Sequence, residues 1–333
     1  MERTGRSSIG NYLETKIENL AVIWFMCMNV YGSFMLPCVL ILLIVVNYYF
    51  VIFVITYILW IWYVDEVTPE QGGRRWEFMQ NLKLWVYFRN YFPIDLKRDE
   101  FFKLSARRNY LFCYFPAGIA GIGNFLSFGT AAGGFKQLFP NHRPYSFALD
   151  SDYKIPLYRE YLLSLGYCKA TPSSIKWVLS NSEGGNAGIL VVGDPLRSEF
   201  VHPNGRLWFI FRHKKGFVKL AIKNGTPIIP VIGFGELDAV ERNIEQKSKV
   251  QVLYDWLKYD RRVVPALKHL FLPKRNPINV IVGKPINIQQ VPHPTQNEVE
   301  FVHKVFIYRL TELFEKYKYT YLSDPDNTHM LLY

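Results

Sequence analysis

Acidic residues are in short supply in this chain. Its 333 residues include 28 Asp and Glu against 39 Lys and Arg, a formal net charge of +11. That balance excludes an acidic, solvating tail protein and points to an anionic partner surface. Cysteine is also scarce. Cys27, Cys38, Cys113 and Cys168 show no metal-ligand spacing, so no metal site and no disulfide framework is expected. Reduced, buried thiols in a protein facing the cytosol fit better. Residues 1–18 lack the short apolar core and small-residue cleavage site of a secretory signal. Internal repeats and low-complexity segments are missing too, which excludes a solenoid.

The longest absence is of charge itself. No charged residue lies between Asn19 and Val64. As one continuous helix that run would reach about 69 Å, more than twice the ~30 Å of a bilayer core. Two passes fit, turning near Asn47–Tyr49, because Asn47 is the only strongly polar residue in Leu36–Trp62. Gly32 and Pro37 would kink the first pass, and Trp60, Trp62 and Tyr63 make an aromatic girdle at the exit. Arg3, Arg6 and Lys16 precede the run, and Arg74, Arg75, Lys83 and Arg89 follow it. The positive-inside tendency puts both ends in the cytosol. With this run present, the basic surface is assigned to membrane lipids and a phosphorylated ligand, with no nucleic acid.

Val67–Arg75 reads as a loop by its proline and glycines. Trp76–Arg89 carries apolar residues at helical spacing (Trp76, Met79, Leu82, Trp85, Phe88), as an amphipathic helix lying on a membrane surface would. Strand-like runs then alternate with helical ones. Tyr110–Phe115, Pro144–Leu149, Gly188–Val192, Pro227–Ile232 and Ile278–Val282 read as strands. Tyr158–Ser164, Ser173–Ser180, Gly216–Lys223 and Asn297–Lys316 read as helices. The expected fold is α/β, a sheet with flanking helices, on an N-terminal two-helix hairpin. Its divisions are 1–18, a cytosolic segment; 19–64, the hairpin; 65–90, loop and interfacial helix; 91–322, the α/β domain; and 323–333, a loose tail.

The chemistry is expected where Tyr110–Phe115 breaks at Pro116-Ala117-Gly118 into a run of small residues. A buried strand, a sharp turn and a helix start hold side chains over a sheet edge, where active sites of α/β proteins collect. Tyr114-Phe-Pro-Ala-Gly-Ile119 resembles the Tyr-His-Pro-His-Gly-Ile motif of the diacylglycerol acyltransferase type 2 family, which includes monoacylglycerol and wax-alcohol acyltransferases. Further segments are similar to that family in order and spacing. They are Gly72-Gly-Arg-Arg75, Tyr91-Phe-Pro-Ile94, Arg159-Glu-Tyr161, Gly185-Asn-Ala187, Lys215-Gly-Phe-Val-Lys-Leu-Ala221, Phe234-Gly-Glu236, Val282-Gly-Lys-Pro-Ile286 and His293-Pro-Thr-Gln296.

The resemblance implies an acyltransferase domain that O-acylates a neutral-lipid alcohol, mono- or diacylglycerol, from fatty acyl-CoA. It also implies the endoplasmic reticulum or lipid-droplet surface, no separate cofactor, and assembly with itself or related acyltransferases. Two departures fall on the chemistry. Phe115 and Ala117 stand where the family has histidines, the first taken as its catalytic base. Arg197 in Gly193-Asp-Pro-Leu-Arg197 stands where the family has glutamate.

Acyl transfer to a hydroxyl needs a base at the hydroxyl and donors for the developing oxyanion. Losing a general base costs about 100- to 10,000-fold in rate, so very low turnover is expected. Reverting Phe115→His, Ala117→His and Arg197→Glu together is expected to raise it. Two replacements are weighed. His142 reads as a solvated loop histidine after the central helix. His293 with Glu298 has the five-residue spacing of the wider acyltransferase motif but precedes a helix, and reads as coincidence. The binding residues implied by the resemblance are Arg159, Asn186, Arg212, Lys214, Lys215, Gly216, Phe217 and Glu236. Arg212, Lys214 and Lys215 before Gly216-Phe217 form either a coenzyme A phosphate site at a helix start or an exposed charged turn. Glu236 is either a carboxylate supporting the site or half of a strand-end ion pair. A catalytically inactive member that binds lipid or a sister enzyme is the other reading.

Overall fold

The computed structural model describes residues 8–116, 121–193, 199–201, 207–211, 215–236 and 272–332. Helix α1 (Ser8–Phe25) runs on through a π-helical turn, Met26–Val30. The chain then bends by 83° into α2 (Gly32–Val46). The turn falls where the sequence places it: Tyr49 N–H donates to Asn47 Oδ1 at 3.1 Å, and α3 (Phe50–Tyr63) begins. The uncharged run divides at the bend. Upstream, Ala21, Val22 and Phe25 are wholly buried, and Phe25 meets Phe88 with ring centroids 4.5 Å apart. Downstream, Leu42, Val46 and Phe53 are 61%, 77% and 65% exposed. One face of residues 19–30 (Ala21, Val22, Phe25, Met26 and Val30) is therefore core of the α/β body, while Leu20 and Trp24 on the other face are exposed. No described helix is long and apolar enough to cross a membrane alone; Gly10–Val30 and Gly32–Val46 pass only as a bent pair.

The surface helix expected over Trp76–Arg89 is two short helices, α4 (Glu77–Gln80) and α5 (Leu84–Tyr91). Asn81 breaks it, its backbone and side-chain N–H groups both donating to Glu77 O. Trp85 and Phe88 are fully buried, so the apolar face of α5 packs on α1, while Trp76 and Phe78 beside α4 are exposed.

Seven strands form the main sheet: β1 (Ile94–Arg98), β2 (Tyr110–Phe115), β3 (Arg143–Ala148), β4 (Cys168–Lys169), β5 (Asn186–Val191), β8 (Ile228–Phe234) and β9 (Ile278–Val282). Their order is β1-β9-β8-β2-β5-β3-β4, parallel except where β9 meets β8. All six residues of β2 are buried, as befits a central strand covered on both faces. Alternate residues feed two cores. Tyr110, Phe112 and Tyr114 join α1, α5 and α8 (Tyr158–Leu165). Leu111, Cys113 and Phe115 join α9 (Pro172–Leu179), α10 (Gly216–Asn224) and α11 (Gln296–Tyr321). Thr171 caps α9, and Thr295 with Glu298 forms a capping box on α11.

A second sheet holds β6 (Glu199–Val201), β7 (Leu207–Phe211) and β10 (Thr328–Leu332). β10 corrects the loose tail: Thr328–Leu332 pairs in parallel with Leu207–Phe211, its backbone satisfied by a strand 121 residues upstream that no local pattern announces.

Candidate functional site

Parallel strands β2, β5 and β8 end on one edge of the sheet, at Pro116, Val192 and Gly235. Phe115, in the family's base position, is 1% exposed and lies among Cys113, Ile232 and Phe234. Tyr114 points to the opposite face, under α6 (Ile122–Asn124) and the π-helical turn Phe125–Gly129. Its hydroxyl donates to Glu236 Oε2 at 2.7 Å.

That pair is built into a close-fitting space. A Cβ on Gly123 would stand 2.4 Å from the Tyr114 hydroxyl oxygen, and one on Gly233 2.1 Å. Gly235, at φ +84°, turns the chain so that Glu236 points inward, and Asn276 Nδ2 donates to its carbonyl at 3.0 Å. A side chain at Gly235 would also strike Pro277 O. Glu236 is 2% exposed. Burial pushes its carboxyl from 4.5 up to about 7, against hydrogen bonds from Tyr114 and from the Gly123 and Ile122 backbone that pull it down. Among the described residues no donor reaches Oε1 with good hydrogen-bond geometry, although the Ile122 and Gly123 N–H groups lie near the carboxyl. Burial, then the Glu236 charge, pushes the Tyr114 phenol well above its ordinary value. Among the described residues Glu236 has no ion-pair partner, and it is not a solvated acid. It is a buried carboxyl that changes charge near neutral pH.

The other expected site residues scatter. Arg159 is 1% exposed and clamps α8 to the end of α3. It hydrogen-bonds to Asp65 (backbone and carboxylate) and, at 2.6 Å, to Glu160 Oε1, beneath the Trp60 ring. Asn186 opens β5 at the far edge, donating from Nδ2 to Val178 O and from its backbone to Asn109 Oδ1. Both have their side-chain donors engaged within the fold. Lys215 pairs with Glu300 at 2.9 Å, Gly216 opens α10 with free space around it, and Phe217 packs into the core on Phe306. Ala117, Gly118, Arg197, Arg212 and Lys214 lie outside the described residues.

The replacement histidines are in the wrong places. His142 is buried, not solvated, and meets the Tyr110 ring at 5.3 Å. Burial pulls its pKa down. Tyr110 opens β2 and Phe115 closes it, so His142 sits roughly 16 Å away along the strand, at the opposite sheet edge. His293 is exposed, and Glu298 is engaged in the α11 cap. Sequence reading found Glu236 but missed Tyr114 as its partner. The available signal was the pair of small residues, Gly123 and Gly233, facing a strand-end tyrosine.

The diacylglycerol acyltransferase family model matches residues 41–332. Bovine 2-acylglycerol O-acyltransferase 1 is 33% identical over 330 residues, covering 96% of both chains. Human diacylglycerol O-acyltransferase 2 is 36% identical over 278 residues, covering 79% of this chain and 70% of its own. A solved structure, the 1-acyl-sn-glycerophosphate acyltransferase of Thermotoga maritima, aligns over 92% of this chain and 97% of its own. Its identity is 14% and its TM-score 0.40, too low to bear on the argument. With most of its length matched by the family and by curated relatives at this identity, the chain belongs to the diacylglycerol acyltransferase family.

Proposed function

We propose that this chain transfers a fatty acyl group from acyl-CoA to the hydroxyl of mono- or diacylglycerol at a membrane surface. The carrying observation is the family match over residues 41–332 together with relatives named for acylglycerol O-acylation. The α2–α3 hairpin fits the setting. Its helices, of 15 and 14 residues, are about 21–22 Å long, short of a ~30 Å hydrocarbon core. A hairpin that dips into the bilayer and returns on the same side therefore suits them better than two full spans. It keeps the α/β body in the cytosol, at the endoplasmic reticulum or a lipid droplet. Lys215 and the start of α10, with Arg212 and Lys214 beside them in sequence, are assigned to the coenzyme A phosphates.

A non-catalytic lipid-binding role is the second reading, favoured by Phe115 facing away into a dry core. The test is acylation by the purified full-length protein in detergent, with radiolabelled acyl-CoA and either acylglycerol. Labelled di- or triacylglycerol is expected. Bound acyl-CoA without product selects the second reading.

A further inference from the structure

The family's base position holds a phenylalanine, yet the same sheet edge carries a proton-accepting group. We infer that the Glu236 carboxylate takes the base role for the acceptor hydroxyl in this chain, with Tyr114 as its positioning partner. The inference rests on the acyltransferase reading above.

Three observations carry it. Glu236 follows β8, which pairs directly with β2 through Phe115↔Ile232, so it lies beside the strand end where the family places its base. One carboxylate oxygen is held by Tyr114 at 2.7 Å, while Oε1 is buried with no well-aligned donor among the described residues. A fully buried polar atom left unpaired costs stability and calls for a reason; a substrate hydroxyl is one. Finally, the space is maintained at a cost in sequence freedom, since any side chain at Gly123 or Gly233 would strike the Tyr114 hydroxyl.

The surroundings suit a base. The titratable group facing Glu236 is Tyr114 from β2; α6 presents backbone N–H groups, and Asn276 holds the neighbouring Gly235 carbonyl. Among the described residues no cation pairs with the carboxylate. A carboxyl that ionises near neutrality is matched to proton transfer at cellular pH.

The step balances. The acylglycerol oxygen attacks the thioester carbonyl carbon as its proton passes to Glu236 Oε1. The C–S bond breaks, the ester forms, and the proton on Glu236 moves to the departing thiolate to give coenzyme A.

The test uses full-length protein in detergent with acyl-CoA and mono- or diacylglycerol. Wild-type kcat/KM is expected to rise with pH through about 7, following Glu236. Glu236→Gln should lower it at least ~100-fold while thermal unfolding and acyl-CoA binding persist. Tyr114→Phe removes a hydrogen bond that favours the ionised acid, so the midpoint should move to higher pH, a change that mere loosening of the fold would not produce. Turnover that survives Glu236→Gln, or a midpoint unmoved by Tyr114→Phe, overturns the inference alone. Wild-type protein that binds acyl-CoA but yields no product at any pH overturns the acyltransferase reading and this inference with it.

Discussion

Glu236→Gln should make the protein more stable, and only at higher pH. In the folded chain the carboxyl ionises at about 7 in place of 4.5. A raised acid pKa means that the native state binds the proton more tightly than the unfolded state does. Stability is therefore greatest below pH 4.5 and falls as pH rises through about 7. At about 1.4 kcal/mol per pH unit, the loss at pH 8 is about 3 kcal/mol. Glutamine mimics the protonated acid: it is neutral, similar in shape, and its carbonyl can accept from Tyr114. The variant and wild type should unfold alike at about pH 4, below both pKa values. At pH 8 the variant should lead by about 2–3 kcal/mol, read by denaturant unfolding of detergent-solubilised protein. A group that destabilises its own fold when charged is what a functional site tolerates and a structural one does not. Equal stabilities at both pH values, or a variant weaker at both, would refute the reasoning, because Glu236 would then not be a buried, neutral-pH acid.

Phe115→His, which the sequence suggests as a restoration, is expected to harm. It trades a fully buried ring in an apolar cluster for a polar imidazole, at about 2–4 kcal/mol, and thermal unfolding should show the loss without a gain in turnover. Arg159→Ala should cost about 3–5 kcal/mol by removing the buried cation from the Asp65 carboxylate, which keeps only Arg74 and the Thr68 hydroxyl among the described residues; denaturant midpoints measure it. Leu42→Lys with Phe53→Lys, on the exposed face of the hairpin, should weaken liposome flotation at about 2.5–3.5 kcal/mol per charge if that face meets lipid. Unchanged flotation would place the membrane contact elsewhere.

Much of the fold was legible locally. The uninterrupted apolar run of β2 marked a central strand, the 3.6-residue period marked α8 to α11, and Asn47 marked the hairpin turn, because each of these rests on interactions within a few residues. The family, too, was legible from linear motifs. Where burial depends on distant partners, the sequence was silent or misleading. Ala21–Phe25 and Leu42–Phe53 are equally uncharged, yet one packs on α5 and the other stands free; composition reports that a segment avoids water, not what covers it. Arg159 and Asn186 carry the right chemistry for ligands, but Asp65 engages the guanidinium from a remote part of the chain and the Val178 carbonyl accepts from the Asn186 amide. The site turned on the same distinction. The sequence by itself determined that the ordinary base was missing and that Glu236 closed a strand. Only the tertiary structure decided that β8 lies against β2, that Tyr114 and Glu236 meet between two glycines far apart in the chain, and that burial there raises a carboxyl to neutrality. Desolvation belongs to the assembled surroundings and is written in no single segment.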